Sequence, residues 1–331
     1  MRKTFMRAAA LVAVTAAAVA TAACANGTSE TNGASDTAAD SYKIGINQLV
    51  QHPALDAANA GFKRAFDDAG VDVDWTEQNA NGEQGTALTI AQSFANSDLD
   101  LVYAIATPAA QATAQTITDI PVLFSAVTDP EAAELVKSNS APGNNVTGTS
   151  DLAEIKDQLA LLKQIVPDAK KVGIVYANGE VNSQVQVDAA KKAAADLDLE
   201  IVTQTVAVAS DLQQATDALG DVDAIYVPTD NLVVSGIAAV VNVAEQKKIP
   251  VIGAEAGTVE GGAVATLGID YDALGYQTGQ MALKILKGQD PAKTPVEFAN
   301  EYTYVVNEAA AARQGVTIPA EILDKAEKIS E

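Results

Sequence analysis

Lys43-Ile44-Gly45-Ile46 is a short apolar strand pattern, and Lys171-Val172-Gly173-Ile174 repeats it in the second half of the chain. Each copy precedes a helical pattern, at about residues 54–69 and 185–197, in which apolar residues recur at helical spacing. A second strand pattern follows each of these helices. The sequence therefore predicts two units that share one plan.

The later segments of the two units also correspond. Asp100-Leu101-Val102-Tyr103 is matched by Asp223-Ala224-Ile225-Tyr226, and Ile120-Pro121-Val122 is matched by Ile249-Pro250-Val251. Strands that alternate with helices form parallel sheets with helices on both faces. The predicted fold class is therefore α/β, with two doubly wound, Rossmann-like lobes. Because ligands of open α/β sheets bind beyond the carboxyl ends of the strands, we expect the ligand in the cleft between the lobes.

Length and charge limit the functions that this chain can have. Its 331 residues suggest two domains, at about 150 residues per domain. The net charge is −22, and removal of residues 1–23 leaves 18 basic and 43 acidic side chains. A surface this negative repels phosphate backbones and anionic headgroups, so it disfavours nucleic acid and peripheral membrane binding.

The N-terminus has the layout of a secretory signal peptide over residues 1–23. Arg2, Lys3 and Arg7 form a basic region, residues 8–20 are apolar, and Thr21-Ala22-Ala23-Cys24 supplies small residues before a cysteine. The last four residues resemble the bacterial lipobox, although Thr21 stands where leucine is usual. Cys24 is therefore the predicted lipidation site. The alternative is a plain secreted protein with an incidental cysteine.

The segment that follows the cysteine predicts a flexible tether. Residues 25–41 contain no apolar side chain larger than alanine, so they cannot bury enough surface to fold. With Cys24, this gives an anchor and tether over residues 24–41. We expect an exported protein at the outer face of the bacterial cytoplasmic membrane, which it touches only through a lipid.

Motifs of catalysis are absent from the sequence. It contains no HExxH, CxxC, GxGxxG, phosphate-binding or GxSxG motif, and it has one Cys and one His. A single imidazole without partners is seldom a catalyst. We therefore expect no metal, no cofactor and no enzymatic activity.

Polar residues are concentrated just after the predicted strands and suit a zwitterion such as an amino acid. Thr107 and residues 125–129 offer hydroxyl and amide donors for a carboxylate. Asp230 is the first choice as partner of an ammonium group, with Glu255 and Asp270 in reserve. Ordinary turn and helix-cap usage is the alternative for each of them. The predicted ligand-binding residues are Gln48, His52, Leu55, Thr107, Ser125, Val127, Asp129, Tyr176, Asn182, Ser183, Asp230, Asn231, Glu255 and Asp270.

Several dispersed motifs resemble the substrate-binding lipoproteins of ABC importers. They are Gln48-x-x-x-His52-Pro53-Ala54-Leu55-Asp56, the run from Ile120 to Pro130, Pro142-Gly143-Asn144-Asn145-Val146-Thr147-Gly148, Val227-Pro228-Thr229-Asp230-Asn231 and Leu267-Gly268-Ile269-Asp270-Tyr271. The branch that they resemble is the type I periplasmic-binding family that includes tryptophan and tyrosine receptors. The resemblance covers about residues 42–320.

This resemblance implies two lobes joined by three crossings. The N-terminal lobe would comprise residues 42–150 and 271–300, and the C-terminal lobe residues 151–270 and 301–331. It also implies a membrane permease and an ATPase as partners, with the receptor itself expected to be a monomer. The predicted function is uptake of an aromatic or other hydrophobic amino acid. The alternatives are a ligand-sensing receptor domain, an importer receptor for a nucleoside or sugar, and an exported enzyme.

Overall fold

The computed structural model describes residues 41–299 and 302–329. The predicted signal peptide and nearly all of the predicted tether lie outside these residues. The first part of the described chain alternates strands and helices: β1 Ser41–Gln48, α1 Pro53–Ala69, β2 Asp72–Asn79, α2 Gln84–Ala95, β3 Leu101–Ile105, α3 Thr107–Thr116, β4 Val122–Val127 and β5 Val146–Ser150.

The second part continues the alternation. Its elements are α4 Ile155–Ile165, β6 Lys171–Ala177, α5 Val181–Ala195, β7 Glu200–Val206, α6 Leu212–Asp217, β8 Ala224–Val227, α7 Asn231–Ser235, α8 Ile237–Lys247, β9 Val251–Gly253, α9 Ala256–Glu260 and β10 Ala265–Ile269. The last part comprises α10 Tyr271–Leu286, β11 Glu297–Phe298, β12 Tyr302–Val306, α11 Glu308–Arg313, α12 Ala320–Leu323 and β13 Glu327–Lys328.

The strands form two sheets, which confirms the predicted α/β fold with two parallel-sheet lobes. The first sheet has the order β2-β1-β3-β4-β5-β11, with all neighbours parallel. The second has the order β7-β6-β8-β9-β10-β12-β13, in which β12 runs antiparallel to β10. The chain passes between the sheets three times, after β5, after β10 and after β11. The sheets thus define a first and a second lobe.

The backbones of α1 and α10 are in close contact. A Cβ atom on Gly61 would overlap the carbonyl oxygen of Asp272, and one on Gly275 would overlap that of Ala58. Glycine therefore lets the two helices approach more closely than any side chain allows. As a result, the start of α10 lies against the middle of α1. Among the described residues, no helix is both long and apolar enough to cross a membrane.

Candidate functional site

A narrow cavity lies between the two lobes. Its walls come from the carboxyl ends of strands in both sheets and from the first two crossings, where ligands of this fold class bind. The lining residues are His52, Leu55, Ala126, Thr128, Asp151, Asn182, Thr229, Asp230, Asn231, Val234, Glu255 and Tyr271.

Four polar atoms on this wall are buried and have no hydrogen-bond partner in the described structure. They are Oε1 of Glu255, Oδ1 of Asn182, Oγ1 of Thr229 and Nδ1 of His52. Buried polar atoms are nearly always hydrogen-bonded, and leaving one unpaired costs about 1–3 kcal/mol. Because these atoms face one cavity, the wall is built to receive a polar solute. Carboxylate and amide oxygens accept hydrogen bonds, so the solute must donate them.

Asp230, by contrast, is fully engaged by its own lobe. Its Oδ2 accepts hydrogen bonds from the backbone N–H of Ala177 at 2.6 Å and from the hydroxyl of Ser183 at 2.7 Å. Its Oδ1 accepts from the N–H of Val233 at 2.9 Å, so Asp230 caps α7. Burial raises the pKa of Asp230. This carboxyl group therefore shapes the wall, while its oxygen atoms are occupied by protein donors.

Glu180 supports the same wall from behind. Its carboxylate accepts hydrogen bonds from the Asn231 side chain at 2.6 Å, from the Asn182 side chain at 3.0 Å and from the N–H of Leu232 at 3.1 Å. Burial and the nearby charge of Asp230 raise the pKa of Glu180 to about 7. Glu180 thus fixes the orientation of both asparagines that face the cavity.

A second group of acids spans the first two crossings between the lobes. Asp151 follows β5 and accepts hydrogen bonds from the hydroxyls of Thr128, at 2.8 Å, and Tyr271, at 2.9 Å. Glu255 follows β9 and also interacts with Tyr271. Burial raises the pKa of Asp151, and burial with the charge of Asp151 raises the pKa of Glu255 to about 8.

His52 completes this group from the first lobe. Its Nδ1 lies 3.8 Å from Oε1 of Glu255, and its Nε2 lies 3.4 Å from Oδ1 of Asn231. Burial lowers the pKa of His52 to about 4, so the ring is neutral near pH 7. His52 joins the first lobe to the second, but it supplies no positive charge to the acids.

Six of the predicted binding residues line the cavity. They are His52, Leu55, Asn182, Asp230, Asn231 and Glu255. Ser183 lies directly behind the wall, where it donates to Asp230. Asn182 and Ser183 stand in the first turn of α5, which begins four residues before the predicted start of that helix.

The other predicted residues lie elsewhere, each with a local role. The backbone N–H of Ala132 binds Asp129, and that of Ala273 binds Asp270, so both acids cap the segments that follow them. Gln48 donates to Asp56 at 2.6 Å beside a separate surface pocket.

The remaining four predicted residues are covered by protein and do not reach the cavity wall. Ser125 accepts a hydrogen bond from Tyr103 at 2.8 Å, and Val127 is part of the first-lobe core. Thr107 is buried at the start of α3, and its hydroxyl oxygen has no partner in the described structure. Tyr176 donates to Gln184.

Sequence reasoning missed several residues that carry the same strand-end signal. Asp151 directly follows β5, Tyr271 follows β10 by one residue, and Thr229 follows β8. Thr128 and Ala126 lie in the run of residues 125–129 that the sequence singled out for a carboxylate, although neither was named as a binding residue. Position after a strand could have selected Asp151, Tyr271 and Thr229, whereas side-chain direction could not be read from the sequence.

Contacts across the cleft show that the lobes are closed on each other. Besides the contact of His52 with Asn231, the side chain of Gln84 donates to the carbonyl oxygen of Gly179 at 2.8 Å. Gln84 begins α2 in the first lobe, and Gly179 follows β6 in the second. The closed lobes leave Glu255 only 2% exposed.

A family model described as ABC transporter substrate binding protein matches residues 43–330. The chain belongs to this family. It is therefore the substrate-binding component of an ABC transporter, a kind of protein that works outside the cytoplasm. The match confirms the family that the dispersed motifs predicted.

Relatives of known structure or name agree with this assignment. The tyrosine-binding protein of Clostridioides difficile (strain R20291) is 44% identical over 272 residues, which cover 80% of this chain and 78% of the relative. An ABC domain from Streptococcus pneumonia in complex with L-Trp has a TM-score of 0.85 at 36% identity, covering 88% of this chain and 100% of that chain.

A third relative shows which arrangement the lobes adopt. The ligand-free, open structure of a substrate-binding protein with adhesive properties from Clostridium difficile has a TM-score of 0.68 at 43% identity, covering 87% and 99% of the two chains. The present structure is thus nearer to the L-Trp complex, although its sequence is nearer to the open protein. Reorientation of two rigid lobes about a hinge accounts for this pattern.

Proposed function

We propose that the protein captures an aromatic or other hydrophobic amino acid and delivers it, unchanged, to a membrane permease driven by an ATPase. We further propose that it is held at the outer face of the cytoplasmic membrane by a lipid on Cys24. The order of basic, apolar and small residues before this cysteine supports the anchor.

The observation that carries the proposal is the set of unpaired acceptors on the cavity wall. Glu255, Asn182 and Thr229 each present a buried oxygen atom without a donor. An ammonium group has three donors and no acceptor, which matches three such oxygen atoms. Glu255 also supplies the opposite charge. We therefore favour Glu255 over Asp230 as the partner of the amino group, because the oxygen atoms of Asp230 are already occupied.

The rest of the wall supports a hydrophobic amino acid. Leu55, Ala126 and Val234 add apolar surface beside the polar atoms. The relatives that are named for tyrosine or bound to L-Trp support an aromatic side chain. A sugar or nucleoside would bring no cation to a wall lined by three carboxyl groups, with that of Glu180 behind it, so these alternatives are disfavoured.

A binding screen on the purified protein tests the proposal. L-Tyrosine, L-tryptophan, L-phenylalanine and L-leucine are titrated by calorimetry beside N-acetyl-L-tyrosine, glucose and adenosine. We expect at least one free amino acid to bind and to be recovered unchanged, while the N-acetyl derivative, which lacks the ammonium group, does not bind. Binding of glucose or adenosine without binding of any amino acid would contradict the proposal.

A further inference from the structure

We infer that the closed cavity binds a proton together with its solute, on the carboxyl groups of Asp151 and Glu255 that Tyr271 joins. The inference rests on the proposed function, because it assumes that the solute brings one ammonium group. It adds a second ligand, the proton, to the solute site.

The first argument is the charge around the cavity. Asp151, Asp230 and Glu255 line it, and Glu180 lies directly behind Asn231. No Lys or Arg is found among the lining residues, and His52 is neutral near pH 7. A single ammonium group balances one of these acids. Because buried carboxylates without a cation are costly, the remaining negative charge must be neutralised or strongly hydrogen-bonded.

Two of the four acids are held by hydrogen bonds that do not depend on closure. Asp230 and Glu180 both receive several donors from the second lobe, including backbone N–H groups. These donors belong to the lobe itself. They do not depend on the contacts of the first lobe. The acids whose surroundings require closure are therefore Asp151 and Glu255.

The hydroxyl of Tyr271 can serve only one of these two acids as a donor. It donates its single proton to Asp151, at 2.9 Å, and it also interacts with Glu255. The contact with Glu255 becomes a hydrogen bond when Glu255 carries a proton and donates it to the oxygen of Tyr271. When an ammonium group binds Glu255, the chain reverses: Asp151 carries the proton, and Tyr271 donates to Glu255. Either way, the pair holds one proton.

The neighbours of the pair within residues 41–299 and 302–329 supply no charge of opposite sign. Glu255 faces His52 from the start of α1 and the charge of Glu260 from α9, and Asp151 lies near Tyr302 of β12. Thr128 is a neutral donor to Asp151 from the end of β4. Nothing among these groups replaces the proton.

Opening of the cleft separates the contributors, because Asp151 and Tyr271 stand at the crossings and Glu255 belongs to the second lobe. A carboxyl group in water has a pKa of about 4 and is ionised at pH 7. In the closed cavity burial raises the pKa of Asp151 and raises that of Glu255 to about 8, so closure favours one proton on the pair at pH 7. Closure on the solute therefore takes up a proton. Affinity therefore falls as the pH rises between these two pKa values, and it levels off above pH 8.

Calorimetry in buffers that differ in ionisation enthalpy measures this uptake directly. For L-tyrosine or L-tryptophan at pH 7, we expect about 0.5–1 proton to be taken up per solute bound. This uptake corresponds to a decrease in affinity of about threefold to tenfold for each unit by which the pH rises. Asp151→Asn leaves Glu255 as the one carboxyl group of the pair, and the ammonium group of the solute balances its charge. Proton uptake by this variant should therefore fall toward zero. Asp98→Asn, which removes an exposed acid before β3, at the end of the first sheet away from the cavity, is the control and should keep the proton uptake.

The outcomes separate the two proposals. Clear binding of an amino acid by the unmodified protein with no proton uptake, or with proton release, between pH 6 and 8 would overturn this inference and leave the proposed function intact. Unchanged uptake in Asp151→Asn would also overturn it. If none of the amino acids binds, the proposed function fails, and the inference fails with it.

Discussion

Replacing Glu255 by glutamine tests the central contact of the proposed site. Glu255→Gln keeps the size of the side chain and removes its negative charge. The carboxyl group is 2% exposed, and its Oε1 has no donor in the described structure. Loss of one partner of a desolvated charge pair costs about 2–5 kcal/mol, which corresponds to a decrease in affinity of about 30-fold to several thousand-fold.

The effect on folding should be small, because no protein donor depends on this oxygen atom. The expected midpoint of thermal unfolding without solute is therefore unchanged or slightly higher. Burial of a carboxyl group with one unpaired oxygen atom opposes folding, and the amide, which carries no charge, relieves part of that penalty. Glu255→Gln should thus separate affinity from stability.

Asp230→Asn is the matched comparison, and it should show the opposite behaviour. If Oδ1 keeps its bond to Val233, the NH₂ group of the amide replaces Oδ2 and faces both Ala177 N–H and Ser183, so the buried N–H of Ala177 loses its acceptor. That loss costs about 1–3 kcal/mol of folding free energy. The cap on α7 should survive, because asparagine caps helices about as well as aspartate. We expect lower stability and a smaller loss of affinity than for Glu255→Gln.

Calorimetry with L-tyrosine and thermal unfolding of both variants provide the measurements. A change in affinity below about threefold for Glu255→Gln, roughly 0.65 kcal/mol, would be too small for a buried ion pair and would refute the assignment. A large loss of affinity in Asp230→Asn without loss of stability would return the role to Asp230, the first choice from sequence.

Three further predictions concern closure, release and anchoring. A Cβ atom on Gly257 would lie 3.3 Å from Cβ of Pro53 across the cleft, so Gly257→Val should hinder closure. Small-angle scattering of this variant should then show little contraction at saturating solute. Gln84→Ala removes the 2.8 Å hydrogen bond to Gly179, worth about 1 kcal/mol, and should speed solute dissociation about fivefold in stopped-flow measurements. Cys24→Ala should release the protein from the membrane fraction or leave it unprocessed; unchanged attachment of a processed chain would contradict the lipid anchor.

Much of the candidate site could be located from sequence, because strand ends are recognisable. Six of the predicted residues line the cavity. The sequence could not decide which acid pairs with the amino group of the solute. Asp230, Glu255 and Asp270 all follow strands and differ only in what surrounds them. The structure shows Asp270 exposed as a helix cap, Asp230 held by donors of its own lobe, and Glu255 with a free oxygen atom.

The sequence by itself determined the local structure and the fold class. Apolar strands, helical spacing and the repeated tetrapeptides identify two α/β units, because periodicity and strand propensity act over a few residues. The predicted strand at residues 200–206 coincides with β7. The dispersed motifs likewise identified the family.

Only the tertiary structure decided which side chains meet in the cavity. Thr128, Asp151, Glu255 and Tyr271 come from four separate strand ends, and His52 reaches Glu255 from the other lobe. Their pKa values and free hydrogen-bonding atoms follow from burial and from neighbours far away in the sequence. The shifted pKa values and the free hydrogen-bonding atoms arise only when the two lobes close on each other. No local sequence pattern encodes them, because the free energy of a buried charge depends on all the groups packed around it.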